Sequence, residues 1–218
     1  MRELRQNEAR RANDPPGVGR RRNSAFSGFS LVELLIVLTL ILVLVTLYWS
    51  ESSPSRQRRQ KVACQEHLEK VFVALQICAN DNGGRFPVKT GAQSAEEALD
   101  ALVPQYTVDT SLFICPGSHD SALPAGSSIS GRRISYAYYM GRGPGHPQEA
   151  VVSDRQINTR SKNTGELIFS TTGKPPGANH NKYGGNVMFC DGRVESSPPS
   201  APFPLVFAPP VVLLNPKP

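Results

Sequence analysis

Between Phe29 and Trp49 the chain is nearly continuous hydrocarbon, and this run constrains the fold more than any other feature. As a helix rising about 1.5 Å per residue it spans about 31 Å, the apolar thickness of a bilayer. Twelve Leu, Ile and Val residues lie between Leu34 and Leu47. At about −0.3 to −0.6 kcal/mol each on an insertion scale, they outweigh a penalty for Glu33 of no more than roughly 3 kcal/mol. One membrane-spanning helix over 29–50 is the expectation, with Tyr48 and Trp49 placed as an interfacial anchor.

The charges flank that run. A formal net charge of +6 invites a nucleic-acid reading, but the cations gather at Arg20, Arg21 and Arg22 and again at Arg56, Arg58, Arg59 and Lys61. Basic residues beside a hydrophobic segment contact lipid headgroups or fix its orientation, so membrane lipid is an expected partner and nucleic acid is not. Seven arginines precede the run and four cations soon follow it, a bias toward a cytoplasmic N-terminus. Cys64, Cys78, Cys115 and Cys190 then all lie on the exported side. There, an even number of thiols favours disulfides, with three possible pairings and buried free thiols as the alternative. None of them forms C-x-x-C, which argues against zinc.

Residues 1–28 are rich in Arg, Asn, Pro and Gly and read as a leader without order of its own. An ordinary secretory signal does not fit: the apolar stretch is too long for an h-region and no A-x-A site follows Trp49. After Ser52-Ser53-Pro54-Ser55, where Pro54 should kink or break a helix, the apolar spacing at Cys64, Leu68, Val71, Phe72, Leu75 and Cys78 predicts a helix over about 57–80 with one buried stripe. Ser94 is placed to cap a short helix that stops before Pro104. Strands are predicted at Leu112–Cys115, Ile134–Met140, Leu167–Ser170 and Asn186–Cys190. Asp191-Gly192 should turn the last of these through a two-residue hairpin into Arg193–Ser196. Residues 51–196 thus form one soluble domain. Residues 197–218, with eight prolines, form an extended or disordered tail.

The string Gly28-Phe-Ser-Leu-Val-Glu33-Leu-Leu-Ile-Val-Leu resembles the processing site of type IV prepilins and type II secretion pseudopilins. The resemblance implies that a membrane aspartic peptidase cuts between Gly28 and Phe29 and methylates the new amine of Phe29. Glu33 then falls at the fifth mature position, where the family places its glutamate. It also implies an α+β, pilin-like fold: a long N-terminal helix, its first half in the cytoplasmic membrane, its second half packed on a small antiparallel sheet outside. Other pseudopilin subunits and an inner-membrane assembly platform are the implied partners. Independently of any family, a carboxylate inside a membrane helix is costly unless answered, and a cleaved amine one turn away can answer it in the same chain or a neighbour.

A second resemblance lies in the soluble domain. Cys64-Gln-Glu-His-Leu-Glu-Lys, Ala79-Asn-Asp-Asn-Gly-Gly-Arg-Phe-Pro87, Phe113-Ile-Cys-Pro116 and Ser135-Tyr-Ala-Tyr138 look like a pseudopilin-like family that ends in a histidine, nine residues and Asp-Gly. Here ten residues separate His180 from Asp191-Gly192. Asp154, His180 and Asp191 are candidate metal ligands, calcium being the ion some secretion pseudopilins use, although turn chemistry alone explains Asp191 and a loop histidine is commonly solvated. Tyr136, Tyr138 and Tyr139 offer a recognition surface, half of it core by strand alternation. No nucleophile, base and orienter occur in a recognised order, so the expected role is assembly, not catalysis. A type IV pilus or competence minor pilin, or a membrane-anchored ligand- or metal-binding module, are the alternatives.

Overall fold

A computed structural model of the protein describes residues 30–49 and 54–218. The leader and the Gly28–Phe29 peptide bond lie outside the described residues. The chain divides into two compact units between Trp49 and Ser50.

The first unit contains helix α1 (Leu31–Trp49), whose apolar side chains from Leu31 to Tyr48 are exposed on every side. Leu31–Tyr48 is long and apolar enough to cross a membrane. Its two threonine hydroxyls are satisfied within the helix: Thr39 Oγ1 donates to the Ile36 carbonyl and Thr46 Oγ1 to that of Val43, each at 2.8 Å. A helix with no polar face is suited to lipid or to other apolar helices, not to water.

The second unit is α+β, as expected. Helix α2 (Pro54–Asp81) opens on Pro54, so the proline starts this helix, where its missing N–H is no loss. Cys64, Leu68, Val71, Leu75 and Cys78 are buried along one stripe. Helix α3 (Ala95–Leu99) follows with Ser94 at its N-cap, but no side-chain cap bond forms there; Glu97 Oε2 instead accepts the Gln93 N–H at 3.0 Å.

Five strands, β1 (Tyr136–Met140), β2 (Ala150–Asp154), β3 (Gly185–Phe189), β4 (Val194–Ser197) and β5 (Val212–Leu214), form one antiparallel sheet in the order β4-β3-β2-β1-β5. Leu112–Cys115 is not a strand: Thr110–Phe113 is a 3-10 turn because the Asp109 carboxylate accepts the Ser111 N–H. Leu167–Ser170 contributes only a single bridge, Leu167 to Ser200. The β3–β4 hairpin forms where predicted, with a different turn. Its loop is Cys190-Asp191-Gly192, closed by the Gly192 N–H on the Phe189 carbonyl at 3.0 Å, and only Gly192 has positive φ, 88°. That is a type I turn followed by a left-handed glycine, not a two-residue turn.

Both faces of the sheet are covered. Tyr136, Tyr138, Val152, Met188 and Leu214 meet α2 in one apolar cluster; Ala137, Tyr139, Val187, Phe189 and Leu213 face a second, with Ile168, Phe169, Ala201 and Leu205. All three tyrosines are therefore core, and none forms a recognition surface. The proline-rich segment is extended, as its composition predicts, and it is also structural. It supplies β5 and part of the second cluster, and Asn215 exchanges side-chain bonds with the Gln156 backbone at 3.1 and 3.0 Å.

Candidate functional site

Strand register decides what lies beneath α2. In β1, Tyr136 and Tyr138 point to the helix face, and Tyr136 is paired with Asp154 of β2. A bulge between Ala150 and Val152 resets β2, so Val151 and Val152 join the helix-side cluster while Ala150 joins the other. Asp154, two residues beyond Val152, is thus delivered under the helix, fully buried.

On α2, Gln60, Cys64 and His67 follow helical spacing along one face. Gln60 Nε2 donates to the Pro116 carbonyl at 3.2 Å and a His67 ring nitrogen bonds the Ile114 carbonyl at 2.9 Å. Those two bonds hold the segment after the 3-10 turn against the helix, bringing Cys115 beside Cys64. The fourth member comes from the loop before β3, where Asn181 adopts a left-handed φ of 57° directly after His180. His180 is fully buried, not solvated.

The four side chains form one polar cluster. Cys64 Sγ lies 3.2 Å from Asp154 Oδ1 and 3.2 Å from Tyr136 Oη. His180 Nε2 is 3.3 Å from Asp154 Oδ2 and 3.3 Å from Cys115 Sγ. Asp154 also accepts from Asn179 Nδ2 at 2.8 Å and from the Asn186 N–H at 2.7 Å. His180 Nδ1 is buried without a hydrogen-bond partner. Gly117 is required beside it, since a Cβ there would lie 2.5 Å from that nitrogen.

Burial raises the Asp154 carboxyl, but the His180 charge, its hydrogen bond and those from Asn179 and Asn186 outweigh it and hold the group below its ordinary range. Burial likewise depresses His180, yet the Asp154 charge and hydrogen bond prevail and lift it to about 9. The Cys64 and Cys115 thiols are pushed up, first by burial.

A pH dependence follows in metal-free protein. The His180 contribution is complete below about 6.5, its unfolded value, and is lost as pH rises through about 9. The Asp154 contribution is present above the unfolded 3.8 and is lost as pH falls through its lower folded value. Urea midpoints of chelator-treated protein should therefore be flat from about pH 5 to 6.5 and decline toward pH 9, and His180→Gln should flatten that decline.

Of the residues singled out from sequence, Asp154 and His180 are brought together and Asp191 is not. Asp191 stands in the hairpin loop beyond β3, about 17 Å of strand away, where its Oδ1 accepts the Arg193 N–H at 3.0 Å. The Asp154–His180–Asp191 metal site is corrected accordingly, and calcium with it, since the neighbours are two thiols instead of oxygens. All four cysteines are buried free thiols; Cys64 and Cys115 meet, engaged with Tyr136, Asp154 and His180.

In the first unit, Glu33 lies in the first turn of α1. Residues 23–48 match the family model described as the prokaryotic N-terminal methylation motif. That match supports a type IV pilin-like chain. For a pilin-like chain the motif implies processing by a prepilin peptidase, assembly with other pilin subunits, and anchoring in a membrane through α1. The match includes Gly28, Phe29 and Glu33 and ends within α1. No curated protein and no solved structure matches the chain.

Proposed function

We propose that this chain is a structural subunit of a type II secretion-like pseudopilus. Cleavage after Gly28 and methylation of Phe29 ready α1 for polymerisation, and the sheet domain stands on the periplasmic side of the inner membrane. Glu33 carries the reading: it is the one charged residue in a helix whose large apolar side chains from Leu31 to Tyr48 are exposed. A carboxylate in an apolar span is costly unless answered, and about 2.5–3.5 kcal/mol, the insertion-scale value at a helix centre, is the ceiling for one in the first turn. The Phe29 amine of a neighbouring subunit answers it as helices stack, so charge pairing sets the axial register while apolar surface supplies the contact. An inner-membrane assembly platform would feed such subunits into a heterologous, non-closing contact, which generates a helical fibre. The secretion reading over a pilus rests on the resemblance of the soluble domain, from Cys64 to Asp191-Gly192, to pseudopilin-like proteins.

The test is Glu33→Ala. Membrane insertion should be unchanged, because the substitution only removes an insertion penalty. Sheared filament yield, or subunit–subunit crosslinking through α1, should fall to background. Wild-type yield from the variant would refute the pairing.

A further inference from the structure

Two thiols, a carboxylate and an imidazole converge under α2 from four separate segments: the helix, the loop after the 3-10 turn, the end of β2 and the loop before β3. One ligand atom of each of Cys64, Cys115, Asp154 and His180 lies within 4.8 Å of all the others, and all four residues are buried. We infer that this cluster is a structural metal site for a zinc-class divalent ion, held by Cys64 Sγ, Cys115 Sγ, an Asp154 oxygen and His180 Nε2.

Three observations carry it. The first is size. A tetrahedral ion with bonds of about 2.3 Å to sulfur and about 2.0–2.1 Å to nitrogen or oxygen spaces its ligands about 3.3–3.8 Å apart. The gaps sit at or just below the short end of that range, Cys64 Sγ to Asp154 Oδ1 at 3.2 Å, Cys115 Sγ to His180 Nε2 at 3.3 Å and His180 Nε2 to Asp154 Oδ2 at 3.3 Å, so an ion is admitted by a few tenths of an ångström of outward movement. The second is the surrounding shell, since ligands in metal sites are themselves held by hydrogen bonds. Asn179 Nδ2 bridges Asp154 and the Ser135 carbonyl at 2.8 and 2.7 Å, the Asn186 N–H donates to Asp154, Tyr136 Oη meets Cys64, and the Gly117 N–H points to Cys115 Sγ at 3.4 Å. The third is donor type. Thiolates with imidazole select zinc-like ions over calcium or magnesium, and a fully buried four-ligand set leaves no open position for a substrate.

Charge balances. Binding releases the two thiol protons and the His180 Nε2 proton to solvent, leaving two thiolates, one carboxylate and a divalent cation with net charge −1. Lys61 is the compensating cation: its ammonium feels the Asp154 and Cys64 charges and is tied to the Tyr183 and Ser197 carbonyls, each at 3.1 Å. Gly117, whose N–H points to Cys115 Sγ, also lines a cleft of about 440 Å³ with Gln60, Ser118 and Ala178.

The experiment uses the full chain in detergent. Metal analysis of protein extracted without chelator should find about one zinc per chain. After chelation, cobalt(II) should produce thiolate-to-metal charge transfer and the visible bands of a tetrahedral ion. Cys115→Ser should abolish both signals while Cys190→Ser, which removes another buried thiol, keeps them. Because Cys115→Ser could act by unfolding, Asn179→Ala is the second variant. It leaves every ligand in place and should weaken zinc binding about 10–100-fold. Three results would each overturn the site: wild-type protein that takes up neither metal, cobalt bands that persist in Cys115→Ser, or a Cys64–Cys115 disulfide in protein alkylated at extraction.

Discussion

Asp154→Ala should destabilise the sheet unit by about 3–5 kcal/mol, the range for removing one partner of a buried charge pair. The carboxylate faces His180 at 3.3 Å and accepts from Cys64, Asn179 and Asn186 at 3.2, 2.8 and 2.7 Å, all within the core. Truncation leaves an imidazole that must shed its proton, a backbone N–H at the start of β3 with no acceptor, and an amide bonded only to Ser135. Each orphaned donor costs about 1–3 kcal/mol. Against a total stability of about 5–15 kcal/mol, such a loss is readily measured as a lower urea midpoint in chelator-treated protein. Asp154→Asn should cost less, because it keeps the shape and one acceptor. Equal midpoints for wild type and Asp154→Ala would mean that the cluster does not hold the helix to the sheet.

Gly184→Ala should cost about 2–5 kcal/mol through two separate effects. Gly184 enters β3 with φ of 83°, which costs an L-residue about 1–2 kcal/mol. A Cβ there would also lie 2.0 Å from the Ser197 carbonyl oxygen and 2.7 Å from the Pro198 carbonyl carbon. Those atoms are backbone at the end of β4, where Ser197 pairs with Gly185, and relieving the overlap adds about 1–3 kcal/mol. Gly126 separates the two contributions: its φ is 65° but nothing lies within 4 Å of a built Cβ, so Gly126→Ala should show only the conformational cost. Equal losses at the two positions would contradict the steric part.

These sites also show what kinds of structure local sequence discloses. Helix α2 is legible because its buried face repeats every 3.6 residues, and the β3–β4 hairpin because Asp191-Gly192 is turn chemistry whatever surrounds it. Strand β2 is not: Ala150-Val-Val-Ser-Asp154 is central, buried on both faces and bulged, so it lacks the alternation that marks a half-exposed strand. The tail misleads for a related reason. Prolines exclude helix but allow extended chain, and only the β1 edge and the second apolar face, both distant in sequence, decide that Val212–Leu214 pairs.

The buried cluster is legible one residue at a time and hidden as a group. Cys64 and His180 are brought together by a sheet register and two helix-to-loop bonds, and no short spacing encodes that meeting. Looking for C-x-x-C tests whether two ligands share one turn, whereas here each donor has a segment of its own. The available signal was weaker: Cys64, Cys115 and His180 all fall within the strings that resemble pseudopilin-like domains. The N-terminal motif is the opposite case, since its elements lie within a few residues and require no tertiary structure to align.

On the proposed function, α1 becomes an assembly helix once its leader is removed, leaving Glu33 one turn from a new amine. Intact mass of the protein extracted from membranes tests it most directly. A chain that begins at Phe29 and carries one added methyl group is the expected result. A species that retains the arginine-bearing leader, or one trimmed beyond Trp49 so that α1 is gone, would contradict it.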